Sequence, residues 1–407
     1  MKPRIVADVL ARPEVRRRLD GDVPAVVLYD LDALDAEVAA LKAAFPPDTL
    51  HAVAMKAAPL PALLRPLVAA GLGLEVGSRV ELAMALRLAP PDRIVHDGVA
   101  KVDVELDEAL TAGVIVHADD LAEVARIGDR GPFGLRVNTG VGVGRVAATS
   151  TAMAGSAFGV DVTDGGADVL AAFCANPNLR GLHQHVGSLG FDVPDLVRGA
   201  RQLADFAARI VAAGGHLDHV DIGGGLPVWT KDDGPSVAWA AYAEALRAGA
   251  PAVFERRLIT EFGRRLFTKA GWVATTVHST KRSGAKDLAI AHVGADLFVR
   301  AAYATHAAHR ITVHHATGDP KRGEPSPWDV CGPLCFSGDR IARDRALVAP
   351  ARGDRLVVHD AGAYTLGMWS RYNSRPSPAV LGHRADGSVT VLRESERIAD
   401  VAAFWEP

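Results

Sequence analysis

Short, almost unbroken apolar runs recur from Leu50 onward, separated by Ala-, Leu- and Arg-rich stretches with the period of an amphipathic helix. The runs are Leu50–Ala54, Leu72–Val76, Arg93–His96, Val114–His117, Phe133–Val137, Leu182–Val186, His219–Ile222 and Leu258–Glu261. Strands that are apolar throughout, rather than at alternate positions, are covered on both faces, as in a parallel sheet with helices outside it. A count near eight predicts a closed (β/α)8 TIM-like barrel, with an open doubly wound sheet as the alternative. After Arg264 the rhythm changes. Gly271–Thr280, Leu288–Val293, Arg310–His315, Arg355–Val358 and Ser388–Leu392 read as β-rich segments broken by Gly and Pro, with no helices between them. Ala25–Tyr29 is a strand candidate ahead of the barrel. The pattern therefore predicts an α/β barrel over residues 33–268 and a mainly β domain formed by 1–32 and 269–407.

Composition narrows the class. At 407 residues, two compact domains are the natural expectation, and 49% apolar with 23% charged residues is ordinary for a globular chain. A net charge of −3 gives no reason to expect nucleic acid or an acidic membrane surface as partner, and Arg16, Arg17 and Arg18 read as a solvated helix face. No uncharged apolar run reaches the roughly 18 residues of a membrane helix. The N-terminal stretch lacks the apolar core of a signal peptide. Three cysteines, Cys174, Cys331 and Cys335, are too few and too uneven for a disulfide framework, so a reducing cytoplasm is expected. Cys331 and Cys335 have no second pair at zinc-finger spacing, and no metal is expected.

Polar residues gather where the barrel strands end, the place where such barrels carry chemistry. Lys56 follows the first strand, and Glu75, Ser78 and Glu81 follow the second. His96 and Asp97 close the third strand, His117 the fourth, and Arg136 lies in the fifth. His185 and Ser188 close the sixth, Gly223-Gly224-Gly225 follows the seventh, and Glu261 with Arg264 ends the eighth. An amine leaving a buried strand suits a Schiff base with an aldehyde cofactor, although most lysines are surface residues with buried stems. Three glycines after a strand let backbone N–H groups approach a phosphate, where a tight turn alone needs one. Glu261 suits a pyridine nitrogen and Arg264 a phosphate, or the two form an ion pair with each other. His183 and His185 are expected on one side of a strand. They suit either a metal with an unseen third ligand or a ring stacked on an aromatic cofactor.

In order along the chain these motifs are AVAMKA, EVGSRVE, HQHVGS, DIGGG, EFGR, DLFVRAAY, GPLCFSGD and GAY. The set resembles the fold-type III pyridoxal-phosphate decarboxylases, the family of the diaminopimelate, ornithine and arginine enzymes, and is nearest in texture to diaminopimelate decarboxylase. The resemblance implies pyridoxal 5'-phosphate on Lys56, with His185 stacked on its ring and Glu261 on its nitrogen. It implies a phosphate cradle of Ser188, Gly223, Gly224, Gly225, Gly263, Arg264 and Tyr364, with Arg136 and Glu81 in support. Cys335 is implied as a general acid supplied from the second subunit of a homodimer. Arg300 and Tyr303 are implied on the substrate. The activity implied is loss of an amino acid's α-carboxylate. A racemase, lyase or oxygenase on the same scaffold, or a cofactor-free regulatory homologue, is the alternative.

The chain departs from the family's pattern at four places. Phe336 follows the thiol where relatives carry an acid that reads a distal ammonium. A buried ammonium without a counter-charge costs several kcal/mol, so a substrate side chain that is apolar, aromatic or neutral is expected, unless Asp296 compensates. Ala157 replaces a lysine thought to pair across the dimer, plausibly with Asp339. Phe262 replaces a proline, and Glu75 replaces an aspartate.

Overall fold

The computed structural model describes residues 3–230, 236–303 and 309–406. The chain divides into two compact units. One holds residues 37–228 and 235–265, the other residues 1–36, 229–234 and 266–407.

The first unit is a closed ring of eight parallel strands. In chain order they are Leu50–Ala54, Gly73–Val76, Ile94–His96, Ile115–Ala118, Phe133–Asn138, Leu179–His183, His219–Asp221 and Arg257–Thr260. Each pairs with the next, and the eighth closes on the first through Ile259 opposite Leu50 and Thr260 opposite His51. Leu50, Ala52, Val95 and Ile259 cluster in the buried core. Leu50, Val95 and Ile259 each contribute on the order of 1.5–3 kcal/mol by leaving water. Helices such as Pro61–Ala69, Asp103–Ala112, Val193–Ala212 and Trp239–Gly249 return the chain between strands. Val193–Ala212 opens on a capping box, in which Asp192 and Asp195 satisfy each other's backbone N–H groups.

The sixth strand differs from expectation. It spans Leu179–His183 and not Leu182–Val186, so His185 lies beyond the strand end. The reason is Gly181. A Cβ there would stand 2.2 Å from Nε2 of His219 on the next strand. A glycine that reads as a strand breaker is required inside this one.

The second unit is a mainly β domain. Its sheet runs in the order Arg340–Val348, Pro325–Cys331, Lys286–Ala291, Gly271–Ser283, Ala25–Asp30, Ala379–His383 and Val389–Arg393. Ile311–His314 and Arg355–Val358 pair with each other, and the latter also with Gly271–Ser283. The N-terminal strand candidate thus sits inside this sheet, parallel to Ala379–His383. Two short helices, Pro3–Leu10 and Pro13–Leu19, set Val6, Val9, Leu10, Val15 and Leu19 into one apolar cluster with Val26, Leu28 and Trp272. The expectation of no helix between the later strands misses Val299–Tyr303.

Candidate active site

Lys56 lies in a single turn of 3-10 helix, Met55–Ala57, directly after the first barrel strand. Its Nζ is 2.5 Å from Oε1 of Glu75 on the second strand, and Glu75 is wholly buried. Gly263 explains how the chain passes so near. A Cβ at that position would meet the Cβ atoms of Ala57 and Ala54 at 2.8 and 2.9 Å. Gly263 therefore serves packing beside the lysine turn.

Glu261 follows the eighth strand and is buried. Its Oε1 has no hydrogen-bond partner, although Nε2 of His183 stands 3.5 Å away. Burial, with the nearby charge of Asp97, raises this carboxyl to about 8, with Lys56 and Arg136 opposing. A buried acceptor without a donor is costly, so this oxygen is an open position for a ligand N–H. His183 is held neutral, down to about 4, by burial. It stacks on His117 with ring centroids 4.8 Å apart and an angle of 21°. The ligand atoms of His117, His183 and Glu261 lie within 4.8 Å of one another, a third partner for His183 that no sequence spacing reveals. Such a set has the donor types of a metal site, and equally of a neutral imidazole stack behind a carboxylate.

His185, past the strand end, is fixed from the glycine turn. Its Nδ1 accepts the Gly224 N–H at 3.1 Å, which leaves Nε2 as the protonated nitrogen. Burial, then Arg136 and Lys56, push it well below the usual imidazole range. The three glycines have packing reasons of their own. Gly223 has φ of +65°, a Cβ on Gly224 would lie 2.4 Å from the Glu261 carbonyl oxygen, and one on Gly225 2.2 Å from that of Gly187. The turn thus draws the seventh strand's end against those of the sixth and eighth. Beside it, Arg264 donates from Nε to Oγ of Ser188 at 2.9 Å. Ser188, the glycines and Arg264 thus lie together where the sixth, seventh and eighth strands end.

Arg136 sits between two acids, 3.8 Å from Asp97 and 3.9 Å from Asp119, with its guanidinium 4.7 Å above the Phe158 ring. Glu81 accepts the Gly77 N–H at 2.9 Å and Ser78 caps the same helix start, so both shape the second βα turn. His96 is committed to Glu105 at 2.9 Å. Phe262, in the place where the resembled family has a proline, packs on Trp239 at 4.8 Å and also on Phe45 and Tyr242. Aromatic packing anchors this loop where a pyrrolidine ring would otherwise stiffen it.

The remaining expected residues belong to the β domain. Cys335 and Phe336 are exposed, and the Cys335 N–H is held by Oδ1 of Asn373 at 2.9 Å. Phe336 meets Tyr372 edge to face at 6.1 Å. Arg300 and Tyr364 line one small pocket with Phe298 and His309. The Tyr303 side chain lies outside the described residues. Asp339 is buried within its own chain, accepting the N–H groups of Ala295 at 2.5 Å and Leu334 at 2.6 Å, as a buried carboxylate needs donors. Asp296 is committed as well, to the N–H groups of Gly294 and Leu297 and, at 3.6 Å, to Arg375.

Residues 31–268 match the family described as pyridoxal-dependent decarboxylase, pyridoxal binding domain. The chain belongs to this family. It is 34% identical over 356 residues to the diaminopimelate decarboxylase of Deinococcus radiodurans, covering 86% of this chain and 88% of that one. With the diaminopimelate decarboxylase of Aquifex aeolicus it shares 30% over 379 residues, 91% of this chain and 88% of the relative. The crystal structure of Helicobacter pylori diaminopimelate decarboxylase with L-lysine superposes with a TM-score of 0.83 at 26% identity, over 94% of this chain and 96% of that one. The protein is a pyridoxal-phosphate-dependent amino-acid decarboxylase built as a barrel and a β domain. Among the described residues no helix is long and apolar enough to cross a membrane.

Proposed function

We propose that Lys56 holds the aldehyde carbon of pyridoxal phosphate, that Glu261 holds its ring nitrogen, and that Ser188, the Gly223–Gly225 turn and Arg264 hold its phosphate. The observation that carries this reading is the buried, partnerless oxygen of Glu261, a position for a ring N–H in the same barrel as the lysine turn. When bound, the cofactor supplies a protonated ring that accepts the electron pair left by departing carbon dioxide. Glu261 keeps the proton on the ring nitrogen. His185, fixed by Gly224, presents a neutral face to an aromatic ring. Arg136 holds Asp97 and Asp119 in place beside the mouth. The Cys335 thiol, contributed by the second subunit of a homodimer, returns a proton to the substrate carbon.

For the substrate, the names of the relatives point to diaminopimelate. A second reading rests on Phe336. An apolar pair, Phe336 with Tyr372, stands exposed beside the thiol, and Asp296 is spent on its own backbone and Arg375. That chemistry suits an apolar, aromatic or neutral side chain. The test is carbon dioxide release and product mass from protein loaded with pyridoxal phosphate, across diaminopimelate and basic, acidic, apolar and aromatic amino acids. Release from diaminopimelate alone removes the Phe336 reading, release from apolar or neutral members alone supports it, and no release from any member overturns the proposal.

A further inference from the structure

One face of the β domain carries a chain of hydrogen bonds that stops short. Ile311–His314 and Arg355–Val358 are antiparallel, with Thr312 opposite Val357 and His314 opposite Arg355. Residues opposite each other, and every second residue beyond them, share one face of a sheet. Thr312, His314 and His359, two residues past Val357, therefore lie on the same side. Oγ1 of Thr312 stands 3.0 Å from Nε2 of His314 and 2.9 Å from Nε2 of His359. Nδ1 of His314 stands 2.9 Å from the carbonyl oxygen of Gly318.

These distances fix where the protons are. A carbonyl oxygen only accepts, so Nδ1 of His314 carries a proton. Both imidazoles are buried, and burial disfavours the charge on each, holding His359 down to about 3 with Arg310 adding to the effect. A neutral His314 then has a bare Nε2, which takes the single hydroxyl proton of Thr312. Thr312 has no second proton to give, so Nε2 of His359 donates to Thr312. Nδ1 of His359 is left as a bare acceptor, and it is buried with no hydrogen-bond partner on a residue only 3% exposed. Such an atom is costly unless a donor reaches it.

His359, Thr312 and His314 line a cavity of about 280 Å³. Val6, Ile311 and Leu347, all buried, give it an aliphatic wall. Water is poorly held there, because a buried water needs two to four polar partners. Thr312 and His314 are spent within the chain of hydrogen bonds, and Lys321 on Asp354 at 2.6 Å. Arg310, also on the lining, carries a charge that disfavours a cation. The cavity shares no residue with the pocket of Arg300 and Tyr364, and it lies in the unit that does not hold Lys56 or Glu261.

We infer that this cavity binds a compact, largely apolar and uncharged molecule that donates one O–H or N–H to Nδ1 of His359. Phenol, anisole and toluene are matched probes: phenol donates, anisole only accepts, and toluene does neither. Calorimetric titration into protein loaded with pyridoxal phosphate should show phenol binding about five-fold or more tighter than the other two. His359→Phe, which removes the acceptor, should erase that preference. Crystals soaked with 4-iodophenol locate the site. The anomalous iodine signal should fall in this cavity, with the phenol oxygen in hydrogen-bonding reach of Nδ1. Iodine found only elsewhere, equal binding of the three probes, or no saturable phenol binding below about 10 mM overturns the assignment. A phenol preference that survives in His359→Phe overturns it as well. The thermal melt of that variant shows whether it folds, and the soak and the three-probe comparison on the wild-type protein decide the matter without it.

Discussion

Glu261 ties stability to protonation. Its folded value, raised to about 8 in the cofactor-free barrel, exceeds that of an unfolded glutamate, so the fold favours the neutral acid. That contribution is complete below the unfolded value and is lost as pH rises through about 8. The melting temperature of cofactor-free protein should therefore fall across that window, and Glu261→Gln should flatten the fall. In the loaded enzyme Glu261→Gln should lower decarboxylation on the order of 100-fold, since an amide cannot balance a protonated ring. Steady-state rates measure that loss. Phe336 is the residue that separates substrates. Phe336→Glu should raise turnover of diaminopimelate relative to apolar amino acids, and an unchanged ratio would remove Phe336 from the specificity argument. Lys56, Glu261 and Arg264 were legible in the sequence because each closes an apolar run. His117 was legible only as a strand end, since its stacking on His183 depends on two strands meeting across a closed ring.

At the scale of elements, glycines and caps carry the local decisions. Gly225 has φ of +94°, and a Cβ there would collide with the Gly187 carbonyl oxygen at 2.2 Å. Gly225→Ala should cost about 3 kcal/mol in urea unfolding and weaken cofactor binding with it. Asp192→Ala removes a capping box without altering Lys56, Glu261 or Cys335, so it should cost about 1 kcal/mol and leave turnover near the wild-type rate. A large loss of rate in that variant would show that the long helix, and not only its stability, bears on the site. The misplaced sixth strand has the same lesson. Gly181 lies outside the expected run Leu182–Val186, yet it is where a neighbouring imidazole crowds the strand. Periodicity registers which residues are apolar and not which position must be empty.

For the whole molecule, the expected sharing of one site between two subunits has a direct check. Lys56→Ala and Cys335→Ser should each be nearly inactive alone. Coexpressed, they should recover about a quarter of wild-type activity, because half the dimers are mixed and each mixed dimer holds one intact site. Absence of recovery, with the mixed dimer present by mass, would place Cys335 in its own subunit's site.

The order of apolar runs and the residues that end them carried the fold class, the lysine turn, the glycine turn and the acid of the eighth strand. Those features are local: a strand's length, its outgoing turn and its last side chain are neighbours in the chain. Tertiary structure alone decided which polar side chains meet. Lys56 and Glu75, His117 and His183, and Ser188 and Arg264 are brought into contact from different strands or loops, and pairing of parallel strands sets their register. It also sets which influences act on the buried carboxyls. Burial favours neutral forms, while Lys56 and Arg136 favour anions, and the balance between them depends on distances that sequence spacing does not contain.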